Sequence, residues 1–167
     1  MNRGLDALIG GWQVSSITSW RTGLPVDVTL TASGTDPATG LSYTFLSRNG
    51  GGLRPDLTGV DPNGNSNASA DRLHYLDLAA YRVPTVNTPG NAGPTSAWGP
   101  GALTTDLSLV KRFTFDRLTA DIRAEAFNLL DTTNYNNPNG SYPTASFGSI
   151  TSAGDPRIIQ LALRLGF

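Results

Sequence analysis

The sequence predicts an all-β fold, part of an antiparallel transmembrane β-barrel, and three observations predict it. Residues Arg157–Phe167 alternate strictly: Ile159, Leu161, Leu163, Leu165 and Phe167 share one strand face, and Ile158, Gln160, Ala162, Arg164 and Gly166 share the other. A period of two with one greasy and one mostly polar face is the pattern of a barrel strand. Trp12 and Trp20 stand eight residues apart on one face of another alternating segment. Four such segments are joined by one tight turn and two long polar stretches. Outer-membrane barrels alternate short turns with long loops in this way. Period two alone does not say whether the greasy face meets lipid or a protein core. A half-buried strand of a soluble sandwich therefore stays open as the alternative for each segment.

The first segment, residues 11–22, places Trp12, Val14, Ser16, Thr18 and Trp20 on one face. At ~3.4 Å per residue and a tilt near 40°, the tryptophans lie roughly 21 Å apart along the membrane normal. That nearly matches an apolar band of about 25 Å flanked by aromatic girdles, so Trp12 and Trp20 are read as girdle residues. The second segment, residues 103–113, puts Leu103, Thr105, Leu107, Leu109 and Phe113 on one face and Thr104, Asp106, Ser108, Val110 and Arg112 on the other. Lys111 interrupts the greasy face near its end, where a long side chain can snorkel to the interface. A short turn around Asp116 leads to the third segment, residues 118–130, in which Ala120, Ile122, Ala124 and Ala126 alternate with Thr119, Asp121, Arg123, Glu125 and Phe127. The third segment fits a helix about as well, since Leu118, Ile122 and Leu129 share a helical face and Ala, Glu and Leu favour helices. Its place after a tight turn and between strands tips the reading to a hairpin. Residues 157–167 are the fourth segment. The sequence then stops on an aromatic residue, as terminal barrel strands do, and Leu161, Leu163, Leu165 and Phe167 are read as the signal that barrel-assembly machinery recognises.

Residues 23–102 and 131–156 are polar and turn-rich, with a short strand expected within Leu24–Leu30. Loops this long are functional or disordered in most proteins. With the Asp116 turn in the periplasm, both long loops face outside and Phe167 ends inside.

Composition excludes several classes. There is no cysteine, hence no disulfide framework or thiolate metal site. A net charge of −1 argues against a nucleic-acid partner, which would need a basic patch. Nineteen glycines and 11 prolines suit strands and loops better than helices. No run of 18 apolar residues offers a transmembrane helix. Residues Met1–Asp6 lack the charged start and apolar run of a signal peptide. A barrel must be exported, so the chain is expected to be a piece of a longer protein.

Catalytic chemistry is not legible. His74 is the one histidine, which makes a poor metal site. Asp61-Pro-Asn-Gly-Asn65 is only superficially like a calcium loop: the glycine is misplaced and Arg72 stands where a bidentate Glu belongs. It reads as a turn. Asn67-Ala-Ser69 and Asn139-Gly-Ser141 are glycosylation triplets that polar loops produce by chance. Without a phosphate loop or a nucleophile–base set, the reading is a non-enzyme with no cofactor and no metal. If the barrel reading holds, Asp106, Arg112, Asp121, Arg123, Glu125, Gln160 and Arg164 line the lumen, where opposite charges pair across strands and can meet a plug. On a soluble sheet the same residues would be a solvated face. Ligand contact is expected in the loops, where Tyr43, Phe45, Tyr75, Tyr81, Trp98, Tyr135 and Tyr142 could stack on sugars or peptides or simply pack the loop.

A set of short motifs occurs in order: Gly10-Gly-Trp-Gln-Val-Ser-Ser-Ile-Thr-Ser-Trp20, Arg54-Pro-Asp-Leu57, Tyr75-Leu-Asp-Leu-Ala-Ala-Tyr81, Gly90-Asn-Ala-Gly93 and Gly99-Pro-Gly101. Then come Asp106-Leu-Ser-Leu-Val-Lys-Arg-Phe113, Arg123-Ala-Glu-Ala-Phe-Asn-Leu-Leu130 and Phe147-Gly-Ser-Ile-Thr-Ser-Ala-Gly-Asp-Pro-Arg157. Each is weak alone; the ordered set resembles the C-terminal end of TonB-dependent outer-membrane receptors of the Oar-like type. The resemblance implies a carboxypeptidase-regulatory-like N-terminal fold, a plug and a barrel of about 22 strands. It implies import of bulky solutes, driven by TonB through an N-terminal motif. This chain carries neither that motif nor a plug and matches only the last four strands, so energised transport does not carry over to it by itself. The implied partners are outer-membrane lipid, the remaining strands and plug, the assembly machinery and, through the missing part, TonB.

Four strands in lipid would leave roughly ten unpaired backbone groups on two edges, a penalty of order tens of kcal/mol. That exceeds the stability of an ordinary domain. Closure by the remaining strands, or by further copies, is therefore expected. The two rival architectures are a soluble β-sandwich binding carbohydrate or another ligand, with the leucines of 157–167 in its core, and an oligomeric barrel to which each copy donates four strands.

Overall fold

A computed structural model describes residues 9–45, 53–64, 68, 70–85, 88–115 and 117–167. The turn residue Asp116, the start Met1–Asp6, Asn65 and the triplet residues Asn67 and Ser69 lie outside these. The chain forms two compact units: Met1–Arg21, Ala102–Asn134 and Gly154–Phe167 make one, and Thr22–Gly101 and Tyr135–Ala153 make the other.

In chain order the strands are β1 (Trp12–Arg21), β2 (Pro25–Val26), β3 (Thr29–Leu30), β4 (Ser33–Thr35), β5 (Ser42–Thr44), β6 (Asp56–Leu57), β7 (Tyr81–Arg82), β8 (Ala97–Trp98), β9 (Ala102–Phe115), β10 (Leu118–Phe127), β11 (Ser141–Tyr142) and β12 (Ile158–Gly166). The first unit is one antiparallel sheet in the order β1-β9-β10-β12. The segment that read equally as a helix is a strand, because its backbone is paired on both sides, with β9 and with β12. Phe115 pairs with Leu118, so the β9–β10 hairpin closes at the end of the sheet where Trp12 and Gly166 lie. Both long connections, 22–101 and 128–157, leave from the opposite end. The sheet is open, with β1 and β12 as its edges.

This sheet has no core of its own. Among the described residues of its four strands, Lys111 alone is buried. Leu161 is 78% exposed and Trp20 75%, and Ile159, Leu163, Leu165 and Phe167 stand open as well. A sandwich would have packed these leucines between two layers; among the described residues of the sheet they stay open.

The second unit is the reverse. Among the described residues, thirteen buried apolar ones, all from 22–101 and 135–153, form its core. Its strands are short ladders, β2–β8, β4–β5 and β6–β7 antiparallel and β3–β11 parallel, with one 3₁₀ turn at Leu78–Ala80 capped by the Asp77 carboxylate. Strands of two or three residues carry almost no readable period, and of these only β2 and β3 fall where the sequence suggested a short strand, within Leu24–Leu30. Tyr142, Phe147 and Ile150 come from 135–153 and fill the core made by the longer stretch. Tyr142 is fully buried, donates its hydroxyl to the Tyr81 carbonyl at 2.9 Å and meets Tyr81 and Phe147 through tilted and edge-on rings. The two long connections thus fold as one body around a shared aromatic cluster.

Truncating Tyr142 to Ala should cost this unit about 3–5 kcal/mol. Hydrogen exchange in detergent should show amides such as Thr31 and Ile150 losing protection while β9 and β10 keep theirs. Burial, with help from the nearby Asp36 and Tyr43, pushes the Tyr142 phenol from 10.0 up to about 12. The folded state therefore holds its proton where the unfolded chain releases it. The unit's stability should stay level below pH 10 and fall as pH rises towards about 12, read by near-UV circular dichroism.

Candidate functional site

Directly opposed residues of antiparallel strands project to the same face. The registers therefore sort the sheet into two surfaces. One row runs Trp12, Lys111, Ile122 and Leu163 across the four strands. The next rows run Val14, Leu109, Ala124 and Leu161, then Ser16, Leu107, Ala126 and Ile159. Trp20 pairs with Leu103 at one end of this face; Phe113, Ala120 and Leu165 form a row at the other. The terminal-strand residues Leu161, Leu163 and Leu165 and the two tryptophans are thus on one continuous apolar surface.

Asp106, Arg112, Asp121, Arg123, Glu125, Gln160 and Arg164 all stand on the opposite surface. Arg112 grips Asp121 with two bonds of 2.7 and 2.9 Å, a bidentate pair between adjacent strands. Arg123 lies 3.6 Å from Glu125 on its own strand, and Ser108 donates to the same carboxylate at 3.5 Å. Asp106 is tied down otherwise: its carboxylate accepts the Asn128 N–H at 2.9 Å, where the chain leaves β10.

Lys111 departs from the snorkelling expected of it. It is only 5% exposed, on the apolar face. Its ammonium lies 5.0 Å from the Trp12 ring centre and 5.1 Å from that of Phe113, and it donates to the Gly10 carbonyl. Rings and carbonyl replace the water the charge gives up. Next to it, the Arg112 N–H donates to the Gly11 carbonyl at 2.8 Å. Gly11 sits at φ +71°, and a Cβ there would run into the Arg112 carbonyl. Gly10-Gly11 and Lys111-Arg112 therefore form one stitch that fixes the entry to β1. The two pairs are about a hundred residues apart in the chain, so no local pattern joins them.

Asparagines fasten the far end. Asn128, at φ 50° and buried, bonds through both amide atoms to Thr132 and reaches the Asp155 carbonyl. Asn134 pairs with the Leu103 backbone as a neighbouring strand would, accepting at 2.8 Å and donating at 3.0 Å.

Within the second unit three of the sequence motifs converge. The Leu57 N–H donates to the Asn91 side chain at 2.7 Å, the Asn91 N–H to Asp56 at 3.0 Å, and the Ala92 N–H to the Pro55 carbonyl at 3.0 Å. Leu57 pairs with Tyr81 through β6–β7. A Cβ on Gly90 would strike the Arg54 and Pro55 carbonyls. Arg54 reaches back to Asp27 at 2.6 Å. The Asp61 turn is held by its own carboxylate accepting the Asn63 N–H, and the Asn63 amide pairs with the Trp98 backbone.

Stacking by the loop aromatics is corrected by burial. Tyr75, Tyr81 and Tyr142 are core residues, and Tyr43, Phe45 and Tyr135 pack against them; Trp98, 53% exposed, is the one that stands open. Burial pushes the phenols of Tyr75 and Tyr81 up as well. His74 is exposed with Nδ1 3.0 Å from Asp71. An open groove of about 480 Å³ lies between Leu73, His74, Leu76 and Asp77 on one stretch and Thr144 and Phe147 on the other.

An open antiparallel sheet with one apolar and one charged face defines a class, the wall of a transmembrane β-barrel. A family model described as an outer membrane beta barrel domain matches residues 1–160, and the chain belongs to that family. A search of curated proteins and a search of solved structures each found no significant match. The chain is part of an outer-membrane β-barrel, with membrane lipid as its surroundings.

The two faces should differ sharply in tolerance. Leu161→Arg, near the middle of the apolar face, should cost about 2–4 kcal/mol, whereas Gln160→Arg on the charged face should be nearly neutral. Reversible folding into lipid vesicles, followed against urea, measures both. Equal costs would contradict the assignment of faces.

Proposed function

We propose that this segment is the closing part of an Oar-like TonB-dependent receptor barrel that binds or imports a bulky solute. The single observation that carries the proposal is the contrast between the units: a sheet with no core, suited to lipid, and a loop body with a packed core of its own. The ordered motifs support the receptor type. They fall both on the strands and on the points where the loop body is knitted, so the likeness extends to its folding contacts. The proposal puts the β9–β10 hairpin in the periplasm and both long connections outside, so that the charged face lines the lumen. Solute contact then falls to the loop body, with the groove beside His74 and Asp77 and exposed Trp98 as its surface, in place of the buried tyrosines. Leu161, Leu163, Leu165 and Phe167 are assigned to the assembly machinery, and Trp12 and Trp20 to the two membrane interfaces. TonB acts through parts outside these 167 residues, and no catalysis is assigned.

Two measurements test this. Peptides such as Leu118–Arg123, mapped by mass spectrometry from outer-membrane gel bands, should come from a polypeptide several times longer than 167 residues. Deleting the producing cell's TonB should abolish uptake of the solute that the receptor binds, with binding retained. A band of only this chain's length, or uptake indifferent to TonB, would sink the proposal.

A further inference from the structure

On the charged face each carboxylate already has a partner within the sheet or at its end. Asp106 holds the Asn128 N–H, Asp121 is gripped by Arg112, and Glu125 faces Arg123 and Ser108. Arg164 makes no close ion pair: among the described residues no carboxylate lies within 4.0 Å of it, and it acts on Asp121, already gripped by Arg112, only at longer range. Arg112 is in register with Asp121, and Asp121 is in register with Arg164. The row Arg–Asp–Arg alternates in sign across β9, β10 and β12 and stops at the free edge of β12.

A barrel leaves no edge, because backbone groups unpaired in hydrocarbon are too costly. Some strand must pair with β12. We propose that this strand carries an Asp or Glu opposite Arg164 on the charged face, with apolar residues opposite Leu161, Leu163 and Leu165, and that it comes from outside residues 1–167. Opposite charges directly across a ladder attract, and a cation or a bare gap there would leave Arg164 facing Asp121 alone.

The same chemistry decides against a second copy of this segment as the partner. In a wall of upright copies, β12 of one copy could meet only β1 of the next antiparallel, since two β12 strands would run parallel. Strand β1 reads Trp-Gln-Val-Ser-Ser-Ile-Thr-Ser-Trp-Arg and has no carboxylate. Its charged-face positions are Gln13, Ser15, Ile17, Ser19 and Arg21. It offers Arg164 nothing and brings a second arginine. The inference rests on barrel closure, which family membership supplies, and not on TonB coupling, so the two can fail separately.

The test uses the protein as its cell makes it. Arg164→Lys keeps the charge and supplies a primary amine. Water-soluble carbodiimide, applied to outer membranes, condenses that amine with a touching carboxylate to an amide, and mass spectrometry reads the joined peptides. The expected product of the R164K protein joins the introduced amine to an Asp or Glu outside residues 1–167. Arg164→Glu should lower the heat-modifiable, assembled protein roughly tenfold, by like-charge repulsion, and a lysine in place of the identified acid should restore it. Coupling of the introduced amine to Asp121 alone, to another copy of this segment, or to nothing in the assembled protein overturns the proposal.

Discussion

The hydrogen-bond ladder of the four long strands has to hold together a sheet whose described strand residues, Lys111 apart, are not buried. The same pairings could in principle sit on a soluble core, yet every leucine of β12 stands open. In water such a face would be an unusually large apolar patch. In a bilayer it is the required surface, because lipid tails solvate leucine well and leave backbone pairing as the demand to be met. The strict period, the charged reverse face and the need for further strands all follow from that demand.

Strand ends are where a ladder frays, and both ends of this sheet are fastened by side chains that stand in for backbone. At the hairpin end, Lys111 and Arg112 close the Gly10–Gly11 corner, one through its side chain and the other through its N–H. Their side chains then serve opposite faces, Lys111 under two aromatic rings and Arg112 on Asp121. At the other end Asn128 and Asn134 satisfy backbone groups where β10 stops and β9 starts. A primary amide has a donor and an acceptor in one plane, so it imitates a peptide unit without continuing the chain.

The connections are not slack tethers. A packed core built around Tyr81, Tyr142 and Phe147 gives 22–101 and 135–153 a fold of their own. A recognition surface on such a body is pre-shaped, which lowers the ordering cost of binding compared with a disordered loop. It also explains why glycines and asparagines recur in the motifs of this region. They mark close backbone approaches and side-chain-to-backbone bonds, as at Gly90 and Asn91.

The sequence by itself sorted each long strand into an apolar and a polar face; the exposure of the leucines and the family match made the apolar face a membrane wall. Alternation in 11–22, 103–113, 118–130 and 157–167 needs only local geometry, since the strand period sorts residues to faces before any partner is known. It placed Leu161, Leu163, Leu165, Trp12 and Trp20 on one surface and Asp121, Arg112 and Arg164 on the other. What only the tertiary structure decided depends on contacts between residues far apart in the chain. Tyr75, Tyr81 and Tyr142 look like exposed loop aromatics until strands too short to show a period draw them into one core. Lys111 looks like a snorkelling lysine until Gly10, 101 residues away, comes within reach of its ammonium. Period and composition report a residue's neighbours along the chain; burial and hydrogen-bond partners report its neighbours in space, and in the loop body those are different residues.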